Sequence, residues 1–172
     1  MIIFCELIRN YQNSFKSKTL AQLRTGDLAP DIEAVDQNGN IVSLKSFRGS
    51  KVILYFYPKD DTPGCTAEAC NLRDNYQILI EKGFKIIGVS ADDEKSHKKF
   101  IDKYVLPFPL IPDKAKKIIM DYGVWGKKKN YGKEYMGIIR MTFIIDESGK
   151  ISHIFDNVDT KNHTAQILKE TE

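Results

Sequence analysis

The chain has 172 residues and a formal net charge of +3, with 42% hydrophobic and 28% charged residues. A chain of this size and balance is typical of one globular domain and not of a disordered protein. The excess positive charge lies in residues 1–24, and the neutral remainder gives no electrostatic reason to bind nucleic acid. No apolar run approaches the ~20 residues that a membrane-spanning helix needs, so neither nucleic acid nor a membrane is an expected partner.

The chain divides into an N-terminal extension, residues 1–24, whose role the sequence does not assign, and one domain, residues 25–172. The extension does not resemble an export signal, because Glu6 interrupts its apolar start. The cysteines Cys5, Cys65 and Cys70 are odd in number, which does not indicate the disulfide framework of a secreted protein. We therefore expect a cytoplasmic protein.

The predicted elements begin with a hairpin, because residues 31–35 and 41–44 flank an Asn-Gly pair. Residues 51–57 then form an apolar run that is typical of a buried strand. From residue 63 to residue 81 the apolar residues recur at helical spacing, with Thr62 as the expected N-cap.

The remaining elements alternate in the same way. They are predicted as strand 85–90, helix 93–105, helix 114–122, strand 138–145, strand 150–155 and helix 161–169. The lysine-rich stretch around residues 127–133 is interpreted as a solvated loop. This order predicts an α/β, thioredoxin-like fold, in which helices flank a central mixed β-sheet and a β-hairpin precedes it.

The segment most informative about function runs from Pro58 to Cys70, between a buried strand and a helix. Ligands bind at the carboxyl ends of strands in open α/β sheets. Cys65 falls in the first helical turn, where free N–H groups and the helix dipole favour an anion and hence the nucleophilic thiolate. The alternative is a small buried hydrophobic residue, but Thr62 and a second cysteine nearby favour a functional one.

Arg140 is the second candidate, because it interrupts the otherwise apolar segment 137–145. A buried guanidinium needs an anionic partner. Glu68 is one such partner and would make Arg140 structural. The Cys65 thiolate is the other and would make it functional. The residues alone favour neither.

The residues Pro58, Thr62 and Cys65 form a Pro-x-x-x-Thr-x-x-Cys pattern inside Tyr-Pro-Lys-Asp-Asp-Thr-Pro-Gly-Cys-Thr-Ala-Glu-Ala-Cys. This string resembles the peroxiredoxins, and in particular their Q-type, or bacterioferritin-comigratory, branch. The stretch Gly-Ile-Ile-Arg-Met-Thr-Phe-Ile-Ile-Asp resembles the arginine strand of that family. The similarity runs from about residue 25 to near the C-terminus, and residues 1–24 depart from it.

The resemblance implies a thiol-dependent peroxidase that reduces hydrogen peroxide and organic hydroperoxides in antioxidant defence and redox homeostasis. Cys65 would be the peroxidatic cysteine, oxidised to a sulfenic acid, and Cys70 the resolving cysteine that forms a disulfide with it. Thioredoxin or a similar dithiol would then reduce the disulfide. No cofactor is implied, and we expect a monomer or weak homodimer.

The supporting residues are also carried over from the resemblance. Arg140, the Thr62 hydroxyl and backbone N–H groups would stabilise the negative charge on the leaving oxygen. Pro58 would shield the sulfur from water, and Glu68 would orient Arg140.

The spacing of the two cysteines predicts a conformational step. Residues five apart on an α-helix have Cα atoms ~8.6 Å apart, whereas a disulfide needs about 4.4–6.8 Å. We therefore expect the helix to unwind locally around Cys65, Cys70 or both before they can be joined.

Two other functions remain as alternatives. A thioredoxin-type thiol–disulfide oxidoreductase would carry CxxC at the helix start, and here four residues separate Cys65 from Cys70. A non-enzymatic redox sensor or binding module would keep a reactive Cys65 but need neither Thr62 nor Arg140. The three histidines have no metal-ligand spacing, so a metal site is not expected.

Overall fold

The computed structural model describes residues 22–171, so Cys5 and most of the predicted extension lie outside the described residues. The strands are β1 (Glu33–Val35), β2 (Ile41–Ser43), β3 (Lys51–Phe56), β4 (Phe84–Ser90), β5 (Leu110–Pro112), β6 (Trp125–Asn130), β7 (Lys133–Ile138), β8 (Met141–Ile145) and β9 (Ile151–Phe155). The α-helices are α1 (Pro63–Asp74), α2 (Tyr76–Glu81), α3 (Glu94–Tyr104), α4 (Lys117–Asp121) and α5 (His163–Thr171).

Five strands form one mixed sheet in the order β5-β4-β3-β8-β9. Strand β3 is parallel to β4, and β4 is parallel to β5, whereas β8 pairs antiparallel with both β3 and β9. The N-terminal strands β1 and β2 form the expected antiparallel hairpin. The predicted thioredoxin-like fold is confirmed. No helix between residues 22 and 171 is long and apolar enough to cross a membrane.

Strand β3 lies at the centre of the sheet and is buried on both faces, which explains its continuous apolar sequence. Val52, Leu54 and Phe56 face the core that contains α4, whereas Ile53 and Tyr55 face the core that contains α1, α3 and α5. Because the chain leaves β3 at its carboxyl end and enters α1 a few residues later, this edge of the sheet presents the start of α1.

The predicted helix over residues 63–81 is wrong in one respect, because it is two helices that meet at Asn75. Asn75 has φ −107° and ψ 14°, and its side-chain Nδ2 donates to the carbonyl of Asn71 at 2.8 Å. Asparagine side chains compete in this way with the backbone bonds of a helix. The break ends the helix of Cys65 and Cys70 soon after the second cysteine.

The predicted strand over residues 138–145 is also wrong, because β7 ends at Ile138 and β8 begins at Met141. Arg140 therefore lies in the short connection between them and is not a strand residue. The lysine-rich stretch expected to be a loop is instead the β6–β7 hairpin. Its turn residues Tyr131 and Gly132 both have positive φ, 47° and 79°, as a two-residue type I′ turn requires.

Candidate active site

The turn that follows β3 leads into α1 and places Cys65 in the first turn of this helix. Thr62 has an extended backbone, Pro63 is the first helical residue, and the Thr66 N–H donates to the Thr62 carbonyl at 2.8 Å. A proline suits this position because its missing N–H would have no helical partner. Cys65 is the third helical residue and only 1% exposed. Its sulfur thus lies in the first turn, among N–H groups that have no helical acceptor.

Arg140 reaches this sulfur from the β7–β8 connection. Its Nη2 donates to Cys65 Sγ at 3.1 Å, and its Nη1 forms an ion pair with Glu68. One planar guanidinium therefore contacts both anionic partners that the sequence left as alternatives. The fork of an arginine can do this, whereas a lysine ammonium offers a single point of charge.

Glu68 and Arg140 influence each other's protonation. Burial raises the pKa of Glu68 to about 7 although Arg140 opposes this shift. Burial disfavours the charge of Arg140, but Glu68 and Cys65 outweigh it and raise the pKa of the guanidinium. Arg140 therefore stays charged beside the sulfur, and Glu68 is the partner that titrates near neutral pH.

Gly64 allows the guanidinium to lie close to the helix start. A Cβ placed on Gly64 would come within 3.3 Å of Arg140 Nη2. A side chain at this position would require the guanidinium to shift by a few tenths of an ångström. The sequence alone did not indicate a role for this glycine, because a glycine near a helix start has many explanations.

Thr62 uses its hydroxyl within the turn that precedes α1. It occupies the expected N-cap position, but its side chain makes no capping hydrogen bond. The hydroxyl instead donates to the carbonyl of Lys59 at 3.0 Å and so fastens the turn that leads into α1. Thr62 is thus the N-cap residue by position, as expected, and its contribution to the leaving oxygen stays a prediction.

Pro58 lines a groove next to the start of α1, whose walls include Trp125, Lys128 and Ile138. Lys128 donates from Nζ to the carbonyl of Ile138 at 3.0 Å. Burial and Arg140 lower the pKa of Lys128, while Cys65 opposes this shift. The β6–β7 hairpin thus brings a second cation within electrostatic reach of the sulfur. The role of Lys128 was not predicted, since nothing in the sequence indicated that this lysine run folds back over the site.

Cys70 lies on the same helix as Cys65, and both are free thiols. Burial raises the pKa of the Cys70 thiol, and Arg73 only partly opposes this. The next residue, Asn71, joins α1 to α5: its Nδ2 donates to the Lys161 carbonyl at 2.9 Å and its Oδ1 accepts from the Thr164 N–H at 2.8 Å. In this conformation Cys70 is therefore a protonated thiol on a tethered turn.

No group of three or more histidine, cysteine, aspartate or glutamate residues within residues 22–171 is arranged to hold a metal ion. Cys65, Glu68 and Arg140 lie in contact at the centre of the site. The structure brings these three together, keeps Pro58 and Thr62 on the preceding turn, and places Cys70 farther along the helix.

Comparison with known proteins identifies the family of the chain. The model of the AhpC/TSA family matches residues 25–154. The relatives named Peroxiredoxin Bcp from Bacillus subtilis (strain 168) and Escherichia coli (strain K12) are 45% and 44% identical to the chain. The first match covers 86% of this chain and 94% of the relative, and the second covers 85% and 94%.

Solved structures give the same assignment. The bacterioferritin comigratory protein of Xanthomonas campestris superimposes with a TM-score of 0.78 at 32% identity, over 87% of this chain and 94% of that one. Peroxidoxin BcpB of Mycobacterium tuberculosis gives a TM-score of 0.75 at 31% identity, over 86% and 96%. The chain therefore belongs to the AhpC/TSA family and, within it, to the Bcp, or Q-type, peroxiredoxins.

Proposed function

We propose that this peroxiredoxin reduces hydrogen peroxide and organic hydroperoxides with Cys65 as the peroxidatic cysteine. The observation that carries the proposal is the 3.1 Å contact between Arg140 Nη2 and Cys65 Sγ. A guanidinium that also pairs with buried Glu68 is held in place for an anion at this sulfur. The structure of the Xanthomonas campestris relative is described for its alkyl peroxide reduction activity, which supports the same class of substrate.

The first step is an attack of the Cys65 thiolate on the distal oxygen of the hydroperoxide. A sulfur–oxygen bond forms, the oxygen–oxygen bond breaks, and the leaving hydroxide or alkoxide takes up a proton to become water or an alcohol. Arg140 and the free N–H groups of α1 act as preorganised donors to the developing negative charge. Pro58 shields the sulfur, and Thr62 holds the turn on which the helix start depends. Cys65 becomes a sulfenic acid.

Cys70 then resolves the sulfenic acid. Its sulfur attacks that of Cys65, a disulfide forms, and the hydroxyl group leaves as water. Because both cysteines lie on continuous helix α1, this step requires α1 to open locally. Opening also removes Cys70 from the surroundings that raise its pKa, which makes its thiol easier to deprotonate.

The cycle closes when thioredoxin or a similar dithiol reduces the disulfide by exchange. The dithiol of the reducing partner is oxidised to a disulfide, and Cys65 and Cys70 return to thiols. We further propose that the protein works in the cytoplasm as a monomer or weak homodimer, in antioxidant defence and redox homeostasis.

A coupled assay tests the proposal. The protein is mixed with hydrogen peroxide, thioredoxin, thioredoxin reductase and NADPH, and the loss of NADPH is followed. Wild type should consume NADPH, and Cys65→Ser should not. Cys5→Ser serves as a matched control and should keep wild-type activity, because Cys5 lies outside the motif. Full activity of Cys65→Ser would rule out the mechanism.

A further inference from the structure

A buried polar cluster lies behind the turn that leads into α1, and the mechanism above does not use it. At its centre is Asp60, which is 7% exposed. Its Oδ1 accepts from the Tyr57 hydroxyl at 2.7 Å. Its Oδ2 accepts from the Ser96 hydroxyl at 2.7 Å and contacts His97 Nδ1 at 2.8 Å. Three side-chain donors therefore converge on one buried carboxylate.

The state of His97 follows from its surroundings. The ring is completely buried, and Nε2 has no hydrogen-bond partner among the described residues. A proton on Nδ1 satisfies the contact with Asp60, whereas a second proton on Nε2 would be left without an acceptor in the core. The contact therefore has Nδ1 as the donor and the Asp60 carboxylate as the acceptor. Burial also raises the pKa of Tyr57 well above its usual range, so its hydroxyl remains a donor.

The backbone of Asp60 is fixed as well. Its N–H donates to Asp92 Oδ2 at 2.9 Å, and the same oxygen accepts from the Ser90 hydroxyl at 2.7 Å. Asp60 is thus tied through its main chain to the end of β4 and through its side chain to α3. Four hydrogen bonds hold this one residue of the turn between β3 and α1.

The conformations of the residues after Asp60 explain why this anchoring affects the start of α1. Asp61 has φ 54°, a left-handed conformation that costs free energy in a residue with a Cβ and persists only when its neighbours impose it. Thr62 is extended and Pro63 begins the helix. Two residues with defined, unlike conformations therefore separate the anchor from α1. The direction in which α1 starts depends on where Asp60 is held.

We propose that Asp60 is a positioning residue that, through Tyr57, Ser96 and His97, sets the start of α1 and so aligns the Cys65 sulfur with Arg140. This inference rests on the proposed function of Cys65. Asp60 touches neither substrate nor sulfur and acts only through the turn. A small displacement of reacting groups costs about 10- to 100-fold in rate, so loss of the anchor should be visible in the peroxide reaction.

Asp60→Asn tests the proposal while preserving shape. The amide replaces one of the two acceptor oxygens by an N–H donor, so the side chain can no longer accept from Tyr57, Ser96 and His97 together. Two rate constants are measured on the reduced protein: oxidation of Cys65 by hydrogen peroxide, and alkylation of Cys65 by iodoacetamide in a background that carries Cys5→Ser and Cys70→Ser. Alkylation develops no charge on a leaving oxygen and so does not use Arg140 as its donor, which lets it separate positioning from a general loss of structure.

The expected result is a fall of about 10- to 100-fold in the peroxide constant, with alkylation within about twofold of wild type. Asp61→Asn is the matched control. It removes the same charge one residue away, its contacts to Lys103 and Tyr104 are exposed, and asparagine accepts a positive φ. It should keep the peroxide constant within about twofold.

Two results would overturn the proposal: a peroxide constant equal to wild type, or parallel changes in both constants, which would make Asp60 merely structural. Should Asp60→Asn not fold, Ser96→Ala decides instead. It removes one donor to the same carboxylate and should lower only the peroxide constant, about 3-fold or more; no change would reject the inference. If wild type itself consumes no peroxide, the proposed function is wrong, and this outcome is distinct from a failure of the proposal about Asp60.

Discussion

Arg140 Nη2 lies 3.1 Å from Cys65 Sγ although the two residues are 75 positions apart in the chain. The contact depends on two connections of the fold, the turn from β3 into α1 and the short link between β7 and β8. Because the other arm of the guanidinium is paired with Glu68, its orientation is set before any substrate arrives.

Replacing Arg140 by lysine should lower the second-order rate constant for hydrogen peroxide by about 10²–10³, the usual effect of removing an oxyanion donor. The charge is kept, but one ammonium cannot contact Glu68 and the sulfur with the geometry of the planar fork. Stopped-flow fluorescence of the single tryptophan, Trp125, measures the constant. Circular dichroism checks that the fold is kept. An unchanged constant would make Arg140 a structural residue only.

Glu68 should make the protein less stable as pH rises. Its pKa is about 7 in the folded chain against 4.5 as the ordinary value, so the unfolded chain loses this proton first. The stabilising contribution is complete below pH 4.5 and is lost as pH rises towards 7. Relative to Glu68→Gln, wild type should lose about 2 kcal/mol of unfolding free energy between pH 5 and pH 7.5. Urea unfolding at both pH values measures the unfolding free energies. The same change with pH in wild type and Glu68→Gln would contradict the prediction.

His163 should make the protein less stable as pH falls, which is the opposite of the effect of Glu68. Burial lowers its pKa from 6.5 to about 4, so the unfolded chain binds a proton that the folded one excludes. The contribution is present above pH 6.5 and is lost as pH falls. Wild type should lose about 2 kcal/mol relative to His163→Gln between pH 7.5 and pH 5. Urea unfolding of both proteins at pH 5 and pH 7.5 tests this. The prediction is wrong if the unfolding free energies of the two proteins change equally, or if wild type gains stability relative to His163→Gln as pH falls.

Tyr55 and Tyr57 offer a matched pair of hydroxyl deletions, because their rings stack 5.4 Å apart in one core. The Tyr55 hydroxyl is buried and has no hydrogen-bond partner among residues 22–171, whereas that of Tyr57 donates to Asp60. Tyr55→Phe should leave the unfolding free energy unchanged or raise it. Tyr57→Phe should lower it by about 1–3 kcal/mol. Chemical denaturation measures both, and an equal loss in the two variants would show that Tyr55 has a partner in solution.

Disulfide formation should loosen α1. Hydrogen exchange of backbone amides over residues 67–73 should be faster in the oxidised protein than in the reduced one, because the cysteines cannot be bonded within an intact helix. Mass spectrometry of both redox states measures the exchange. Amides of β3, which lies at the centre of the sheet, serve as the internal control. Identical exchange in α1, or a Cys65–Cys70 bond within an undistorted helix, would contradict the opening step.

The sequence predicted what depends on short-range patterns and missed what depends on distant contacts. The buried strand β3 and the position of Cys65 at a helix start follow from local apolar spacing and from Pro63. The break at Asn75 was missed because it arises from one side chain that competes with helical bonds. The β6–β7 hairpin was missed because Tyr131 is not a usual turn residue, although its φ is positive.

The site shows the same division. Cys65, Glu68 and Arg140 were identified, but only the folded chain shows that one guanidinium contacts both of the others. Asp60 was passed over because it stands next to Asp61 in the sequence, and nothing local shows which aspartate points inward. His97 gave the one usable signal: it shares helical spacing with Phe100, which places it on the buried face of its helix.

Asn71 has a consequence that reaches beyond the reacting cysteines. Its side chain accepts from the Thr164 N–H and so caps α5 from a neighbouring helix. When the turn around Cys70 unwinds, this cap is withdrawn and the first turn of the C-terminal helix loses an acceptor. The oxidised protein should therefore have a frayed first turn of α5. A protease or antibody that recognises this end of α5 could distinguish the two redox forms without contact with either cysteine.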